Sequence, residues 1–186
     1  MNRTAFTWLG LLTLFGFSLL GILSVELLQD VPFREVFFSG WNWLEQLGIG
    51  LAYGSICAGV AWWLIQRPFM RELSVVYAGM FKSLELSVQD VLFISLCAGV
   101  GEEILFRAGI QPFLGIWLTS VLFVAIHGYL DPRSWRMFLY GSVMTVMIAG
   151  VGWLFENVGL ISAMTAHFII DVILLLLVMR MKIVPD

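Results

Sequence analysis

The chain alternates between long apolar runs and short polar stretches. An apolar run of about 20 residues is long enough to cross a bilayer as a helix. The pattern therefore predicts an all-α integral membrane protein with about six transmembrane helices. In chain order the predicted spans are 5–25, 44–65, 88–110, 116 to 127 or 130, 135–155 and 160–179.

The polar stretches between these runs predict surface segments and turns. Residues 26–45 are predicted to form a loop at the membrane interface, and the charged stretch 67–87 an amphipathic interfacial segment. Residues 111–115, Gln-Pro-Phe-Leu-Gly, carry a turn signal. Ser134, at the end of a short polar stretch, is a candidate helix N-cap.

Two regions follow from these elements. Residues 1–87 are predicted to hold two N-terminal transmembrane helices and the amphipathic segment, and residues 88–186 a four-helix core with an inward-facing polar site. In the second span, Gly50 and Gly54 form a small-residue face that lets another helix approach closely. That face is compatible with packing inside the chain or with dimerisation, so the oligomeric state is left open.

Composition narrows the class of protein. Of 186 residues, 60% are hydrophobic and 12% are charged, so the lipid bilayer is the expected surrounding. The net charge of −3 comes without a basic patch, which argues against nucleic acid as a partner. Cys57 and Cys97 lie in apolar runs and are predicted to be small hydrophobes rather than disulfide partners or metal ligands.

The basic residues predict the orientation of the chain. Six spans place both termini on one side, and eight of the ten Lys and Arg residues fall on that side. Because cytoplasmic loops carry the excess of basic residues, both termini are predicted to be cytoplasmic, in a multi-pass protein of the plasma membrane. The eight residues are Arg3, Arg67, Arg71, Lys82, Arg133, Arg136, Arg180 and Lys182.

Six ionisable side chains lie well inside the predicted spans, away from their ends, where a charge costs at least about 2.5–3.5 kcal/mol on insertion scales. Glu103 and Arg107 are four residues apart and can pair on one helix face. Glu102 points about 100° away from them, so it needs a partner from another helix or a chemical role. The six are Glu102, Glu103, Arg107, His127, His167 and Asp171.

Spacing predicts that four of these side chains meet. The turn at 111–115 lies midway between Glu102 and His127, so the two face each other in a helical hairpin. His167 lies about 12–15 Å below the next turn, and Asp171 follows on the same helix face. In a hydrated, protein-lined cavity, Glu102 is a candidate general base, and a histidine can position a water or stabilise an oxyanion.

Other interpretations compete with catalysis. Glu103 and Arg107 form a structural ion pair in the simplest interpretation, and Phe123, four residues before His127, is a packing residue. Two histidines and two carboxylates can also bind Zn²⁺, although neither a cofactor nor a metal is expected. A membrane scaffold and a proton or ion pathway are the alternatives without hydrolysis.

Three motifs of ionisable and aromatic residues occur in order on separate predicted spans. They are Glu102-Glu103-x-x-x-Arg107, Phe123-x-x-x-His127 and His167-x-x-x-Asp171. These motifs resemble those of the CPBP family, the CAAX-processing and bacteriocin-processing (Abi) intramembrane proteases, which include the type II CAAX prenyl endopeptidases. The resemblance covers residues 88–178, and it implies that the four-helix core predicted over residues 88–186 is a catalytic core.

The resemblance implies hydrolysis of a peptide bond in a membrane-anchored or lipidated protein, near its C-terminus, by a glutamate-activated water. It implies that Glu102 is the general base, that His127 orients or activates the water, and that His167 and Asp171 form the oxyanion side. A non-enzymatic scaffold or a bacteriocin self-immunity protein of the same fold is the alternative.

The remaining motif residues, Glu103, Arg107 and Phe123, are expected to shape the site. Position 171 departs from the prenyl-protein members, which often have Asn there. An ionised Asp171 cannot donate to an oxyanion, so it is expected to accept a hydrogen bond from His167 and favour the imidazolium, or else to be protonated.

The side from which a substrate reaches the site is open. The prenyl-protein enzymes act on the cytosolic side of the membrane. The turns nearest to Glu102 and His167, however, are predicted to be external. External access would favour an anchored secreted protein as the substrate.

Overall fold

A computed structural model describes residues 3–181 and shows only helices and turns within that range. Long apolar segments form the helices, and polar residues begin several of them. Side-chain caps at Asn42, Ser87 and Ser134 satisfy backbone N–H groups at three helix starts, so the predicted N-cap at Ser134 is confirmed. The α-helices are α1 Arg3–Leu12, α2 Ser18–Leu28, α3 Phe33–Phe38, α4 Trp43–Ile65, α5 Arg71–Lys82, α6 Val88–Glu103, α7 Gln111–Ile126, α8 Trp135–Asn157 and α9 Leu160–Arg180.

Two π-helical segments and a 3₁₀ turn complete the helical structure of the described residues. The π-helix Thr13–Phe17 joins α1 to α2, and the π-helix Ile104–Ile110 joins α6 to α7. The 3₁₀ turn Pro68–Met70 precedes α5, which lies in the segment predicted to be amphipathic. The stretch 26–45, predicted as a loop, contains the short helix α3.

Five helical runs in residues 3–181 are long and apolar enough to cross a membrane. This confirms the prediction of an all-α, multi-pass integral membrane protein. They are Arg3–Leu28, Trp43–Ile65, Val88–Ile126, Trp135–Asn157 and Leu160–Arg180. The division of the chain at residue 87 stays a prediction.

The predicted fourth span does not form a separate membrane-crossing helix, because residues 88–126 form one helical run. Pro112 does not end the helix, because it occupies the first turn of α7, where a missing N–H costs nothing. The backbone leaves helical geometry at Gly115, whose φ of +71° suits glycine. Residues 116–126 then extend over only about 16 Å, which is about half the thickness of a bilayer core.

The N-terminal helices pack tightly on the π-helix Ile104–Ile110. A Cβ at Gly21 would lie 2.5 Å from the carbonyl oxygen of Ile104, so only glycine allows this approach. Pro112 has no N–H to offer the carbonyl of Ala108, four residues earlier. Instead, Gln29 Nε2 donates to the Ala108 carbonyl at 2.8 Å, and Ser24 Oγ donates to that of Gly109 at 2.7 Å.

The small-residue face of α4 packs against α9. A Cβ at Gly50 would lie 2.5 Å from the Ser162 carbonyl oxygen, and one at Gly54 would lie 2.5 Å from that of Ala166. The two backbones can come this close only because both positions lack a side chain. Of the two uses predicted for this face, the structure therefore shows packing inside the chain, and it brings α4 against the residue before His167.

Candidate active site

The carboxylates of the first motif lie where an α-helix becomes a π-helix. Glu102 and Glu103 end α6, and Arg107 lies in the following π-helix. Segments of π-helix inside longer helices are frequent at functional sites. Arg107 Nε donates to Glu103 Oε2 at 2.9 Å, and both side chains have no solvent exposure. The predicted ion pair is thus present and fully buried.

Glu103 also holds a histidine of the third motif. Its Oε1 lies 2.8 Å from His167 Nδ1. A carboxylate facing Arg107 accepts hydrogen bonds, so His167 Nδ1 carries the proton and Nε2 is the nitrogen available for chemistry. The ring of His167 is therefore oriented by Glu103.

Arg107 is held in turn from its other side. Its Nη1 donates to Gln111 Oε1 at 3.0 Å, and Gln111 Nε2 donates to the Gly152 carbonyl and to Glu156. The chain of contacts from His167 therefore crosses α6, the π-helix and α7, and ends on α8.

Glu102 finds its partner across the hairpin, as the spacing predicts. His127 Nε2 lies 3.5 Å from Glu102 Oε2. His127 Nδ1 lies 2.7 Å from the carbonyl oxygen of Phe123, and a carbonyl can only accept, so Nδ1 carries a proton. Glu102 Oε2 has no hydrogen-bond partner among the described residues. Glu102 Oε2 is therefore available to a hydrogen-bond donor beside the pair.

The second histidine faces a second acid. His167 Nε2 lies 3.6 Å from Asp171 Oδ2, which is longer than a hydrogen bond. Glu103 and Asp171 thus flank the His167 ring on both nitrogens. Two carboxylates beside one imidazole favour its positively charged form, which has an N–H on each side of the ring.

Phe123 lies between the two histidines. Its ring centroid is 4.6 Å from that of His127 and 5.6 Å from that of His167. The guanidinium carbon of Arg107 lies 5.8 Å from the same ring. Phe123 is also part of the hydrophobic core, so it fixes the separation of the histidines by packing.

These groups open into a cavity of about 270 Å³. Glu102, His127, His167 and Asp171 all line it, so the structure brings the four predicted residues together. Much of the remaining lining comes from the start of α1, the end of α4, α5, the start of α8 and the end of α9. The cavity therefore extends toward the side of the termini, opposite to the external access considered above.

The cavity has a tyrosine lining that the motif analysis missed. Three of the four tyrosines in the chain, Tyr77, Tyr129 and Tyr140, line it. The Tyr129 ring is nearly parallel to that of His127, with centroids 6.1 Å apart. Burial raises the pKa of Tyr77 and of Tyr129 above the usual range, so both keep their phenolic proton. The signal in the sequence was the position of Tyr129, two residues after a motif histidine.

Zinc coordination has no obvious ligand set in this cavity. Among residues 3–181, no group of three or more His, Cys, Asp or Glu side chains could hold a metal ion. Instead, the facing groups form two separate histidine–acid pairs, Glu102 with His127 and Asp171 with His167. Cys57 and Cys97 are buried free thiols, as predicted.

The fold and the site together define an all-helical, multi-pass membrane protein with a buried glutamate–histidine–aspartate cavity. The model of a family described as type II CAAX prenyl endopeptidase, Rce1-like, matches residues 84–173. The part of the chain that holds the site therefore matches this family, a family of proteases, and the resemblance seen in the three motifs is confirmed.

A relative among curated proteins also matches the chain. It is the uncharacterized protein YpbD of Bacillus subtilis (strain 168), which is 35% identical over 89 residues. The match covers 47% of this chain and 44% of the relative, so the chain spans less than half the length of that protein. No solved structure gives a significant match.

Proposed function

We propose that this protein is an intramembrane endopeptidase in which Glu102 activates a water molecule. The observation that carries the proposal is the facing pair of Glu102 Oε2 and His127 Nε2, 3.5 Å apart, in a cavity that also exposes His167 and Asp171. The carboxylate oxygen has no other hydrogen-bond partner in the described part of the chain. A base with a free lone pair beside a second polar group suits the capture of a water.

The proposed reaction has two steps. Water held beside the Glu102–His127 pair loses a proton to Glu102 as its oxygen attacks the carbonyl carbon of the scissile peptide bond. The carbonyl oxygen becomes negatively charged and accepts a hydrogen bond from His167 Nε2–H. Glu102 then returns the proton to the departing amine, the C–N bond breaks, and a carboxylic acid and an amine leave.

Three neighbours support these roles. Asp171, 3.6 Å from His167 Nε2, favours the imidazolium that donates to the oxyanion. Glu103 holds the opposite side of the ring through Nδ1. Arg107 neutralises Glu103 in a region without solvent, where an unpaired charge is costly. Glu103 and Arg107 are therefore positioning residues rather than catalytic ones.

The proposed substrate is a membrane-anchored or lipidated protein that is cut near its C-terminus. The cavity extends toward the side of the termini, where eight of the ten basic residues lie. The positive-inside rule favours a cytoplasmic position for that side. We therefore infer a protein of the plasma membrane whose site is reached from the cytoplasm.

The test compares wild type with Glu102→Gln and His167→Ala in liposomes that contain a pool of membrane-anchored proteins. Product termini are read by mass spectrometry, with and without a chelator. Wild type is expected to cut in both conditions, and each variant is expected to lose cleavage while remaining folded. Cleavage that requires metal would favour a zinc-dependent hydrolase. No cleavage by wild type, with a protein captured equally by all three forms, would favour a scaffold or self-immunity role.

A further inference from the structure

A second groove adjoins the cavity beside α5. It lies between α5 and the start of α8, and it shares Leu73, Tyr77 and Met137 with the lining of the cavity. Tyr77 Oη donates to Met137 Sδ at 3.8 Å. These three side chains line both spaces, so the groove is contiguous with the cavity that holds the proposed catalytic groups.

The rim of the groove carries a hydrogen-bond donor, Arg136 Nε, without an acceptor among the residues that the structure describes. Arg136 forms an ion pair with Glu72 through Nη1, across the groove from α8 to α5. Arg136 Nε is shielded from solvent and has no hydrogen-bond partner among residues 3–181. A shielded donor without an acceptor is costly, so a ligand that brings an oxygen to Arg136 Nε is stabilised.

We propose that this groove binds the substrate chain beside its scissile bond, and that Arg136 donates from Nε to a peptide oxygen there. The inference rests on the proposed protease function. Continuity with the cavity indicates the occupant. A peptide whose scissile bond lies at Glu102 must extend beyond the cavity on either side of that bond, and the groove adjoins the cavity. The apolar residues Val76 and Met80 of the groove suit side chains of such a peptide, and the Arg136 donor suits its backbone carbonyl or a terminal carboxylate.

Photo-crosslinking tests occupancy without relying on turnover. A benzoylphenylalanine replaces Val76 in the groove, 64% exposed, or Val88 at the start of α6, 54% exposed and outside both cavities. Both are introduced into the Glu102→Gln protein in liposomes with palmitoylated decapeptides. We expect at least about fivefold more crosslinked peptide at position 76 than at position 88. Equal crosslinking at both positions would overturn the proposal.

Enzyme kinetics test whether Arg136 donates a hydrogen bond to the bound peptide. With a palmitoylated peptide that wild type cuts, Arg136→Gln is expected to raise KM about tenfold with kcat within about twofold, because a charge-assisted hydrogen bond to the bound chain is lost. Glu72→Gln breaks the same ion pair but leaves Arg136 in place, and we expect KM not to rise. If Glu72→Gln raised KM as Arg136→Gln does, Arg136 would act by tethering α5, and the proposed contact would be wrong.

The two proposals fail separately. Crosslinking at Val76 without cleavage by wild type would retain the groove as a peptide site and overturn the protease function. Cleavage by wild type without preferential crosslinking at Val76 would retain the protease function and overturn the groove as a peptide site. Peptides ending in an amide and in a free acid then distinguish a backbone carbonyl from a terminal carboxylate as the acceptor for Arg136.

Discussion

Adjacent residues in one helix can have opposite physical roles, and Glu102 and Glu103 illustrate this. Glu103 has no exposure and bonds Arg107 and His167, whereas Glu102 lines the cavity. Replacing Glu103 by Gln leaves Arg107 as a buried charge without a counterion. We expect Glu103→Gln to lower the free energy of unfolding by about 3–5 kcal/mol, and Glu102→Gln to change it by less than about 1 kcal/mol.

Denaturant unfolding of both variants in the same detergent measures this difference. Wild type and a surface variant such as Ser55→Ala serve as references. If both glutamate variants unfolded at the same denaturant concentration as wild type, the buried ion pair would contribute nothing to stability. Equal loss in both variants would mean that Glu102 is also a structural residue.

The role of Asp171 is tested by two substitutions of similar size. Asn keeps a polar group near His167 Nε2 and adds a donor for the oxyanion, whereas Leu removes both the charge and the hydrogen-bonding atoms. We expect kcat/KM to fall by less than about tenfold for Asp171→Asn and by about 10²–10³ for Asp171→Leu, the range found when an oxyanion contact is lost. Equal loss in both variants would show that the negative charge itself is required.

At the scale of helices, the contact between α4 and α9 places His167. A Cβ at Gly54 would lie 2.5 Å from the carbonyl oxygen of Ala166, the residue before His167, whereas nothing lies within 4 Å of a Cβ at Gly59 on the same helix. Gly54→Ala is therefore expected to lower stability by about 1–3 kcal/mol and to reduce cleavage, because α9 must shift. Gly59→Ala, the matched control, is expected to do neither.

Thermal unfolding temperatures and cleavage rates of the Gly54→Ala and Gly59→Ala proteins test this prediction. A Gly54→Ala protein with wild-type stability and activity would show that α9 can move away from α4 without disturbing His167. That result would also reopen the use of this glycine face for contacts between chains.

The N-terminal helix supports the site through the π-helix. Ser24 Oγ donates to the Gly109 carbonyl at 2.7 Å, in a segment where Pro112 removes a backbone donor. Ser24→Ala is expected to cost about 0.5–1.5 kcal/mol of stability, because a partly buried hydrogen bond to that carbonyl is lost. Ser55→Ala removes only an exposed bond to the Leu51 carbonyl of its own helix and is the control. Equal unfolding temperatures for both variants would contradict the prediction.

The helices show which features a sequence pattern can predict. Apolar length predicts every long helix, because the requirement to span hydrocarbon is simple. Pro112 misled the prediction of helix ends, since a proline in the first turn of α7 is compatible with the helix, and Gly115 makes the break. The π-helices are invisible to periodicity, because one extra residue in a turn changes no hydrophobic pattern that a short window can resolve.

At the scale of the molecule, the meeting of the four site residues was predictable and the direction of their cavity was not. A hairpin brings Glu102 to His127 whatever surrounds it, and helical spacing places Asp171 beside His167. The direction of the cavity depends on α5 and on the start of α1, which line one side of it. Neither carries a motif, and their packing depends on contacts between residues far apart in sequence.

The orientation of the whole molecule decides which substrates can reach this cavity. In a protein with Cys57→Ala and Cys97→Ala, single cysteines at Ser39 and at Arg133 report the two membrane faces, since both positions are exposed and lie at opposite ends of the long helices. In right-side-out vesicles, an impermeant maleimide is expected to label Ser39→Cys directly and Arg133→Cys only after permeabilisation. This follows because the Arg133 side holds most of the basic residues. The opposite pattern would place the cavity mouth outside the cell, and secreted anchored proteins would then replace cytoplasmic ones as the substrates to test.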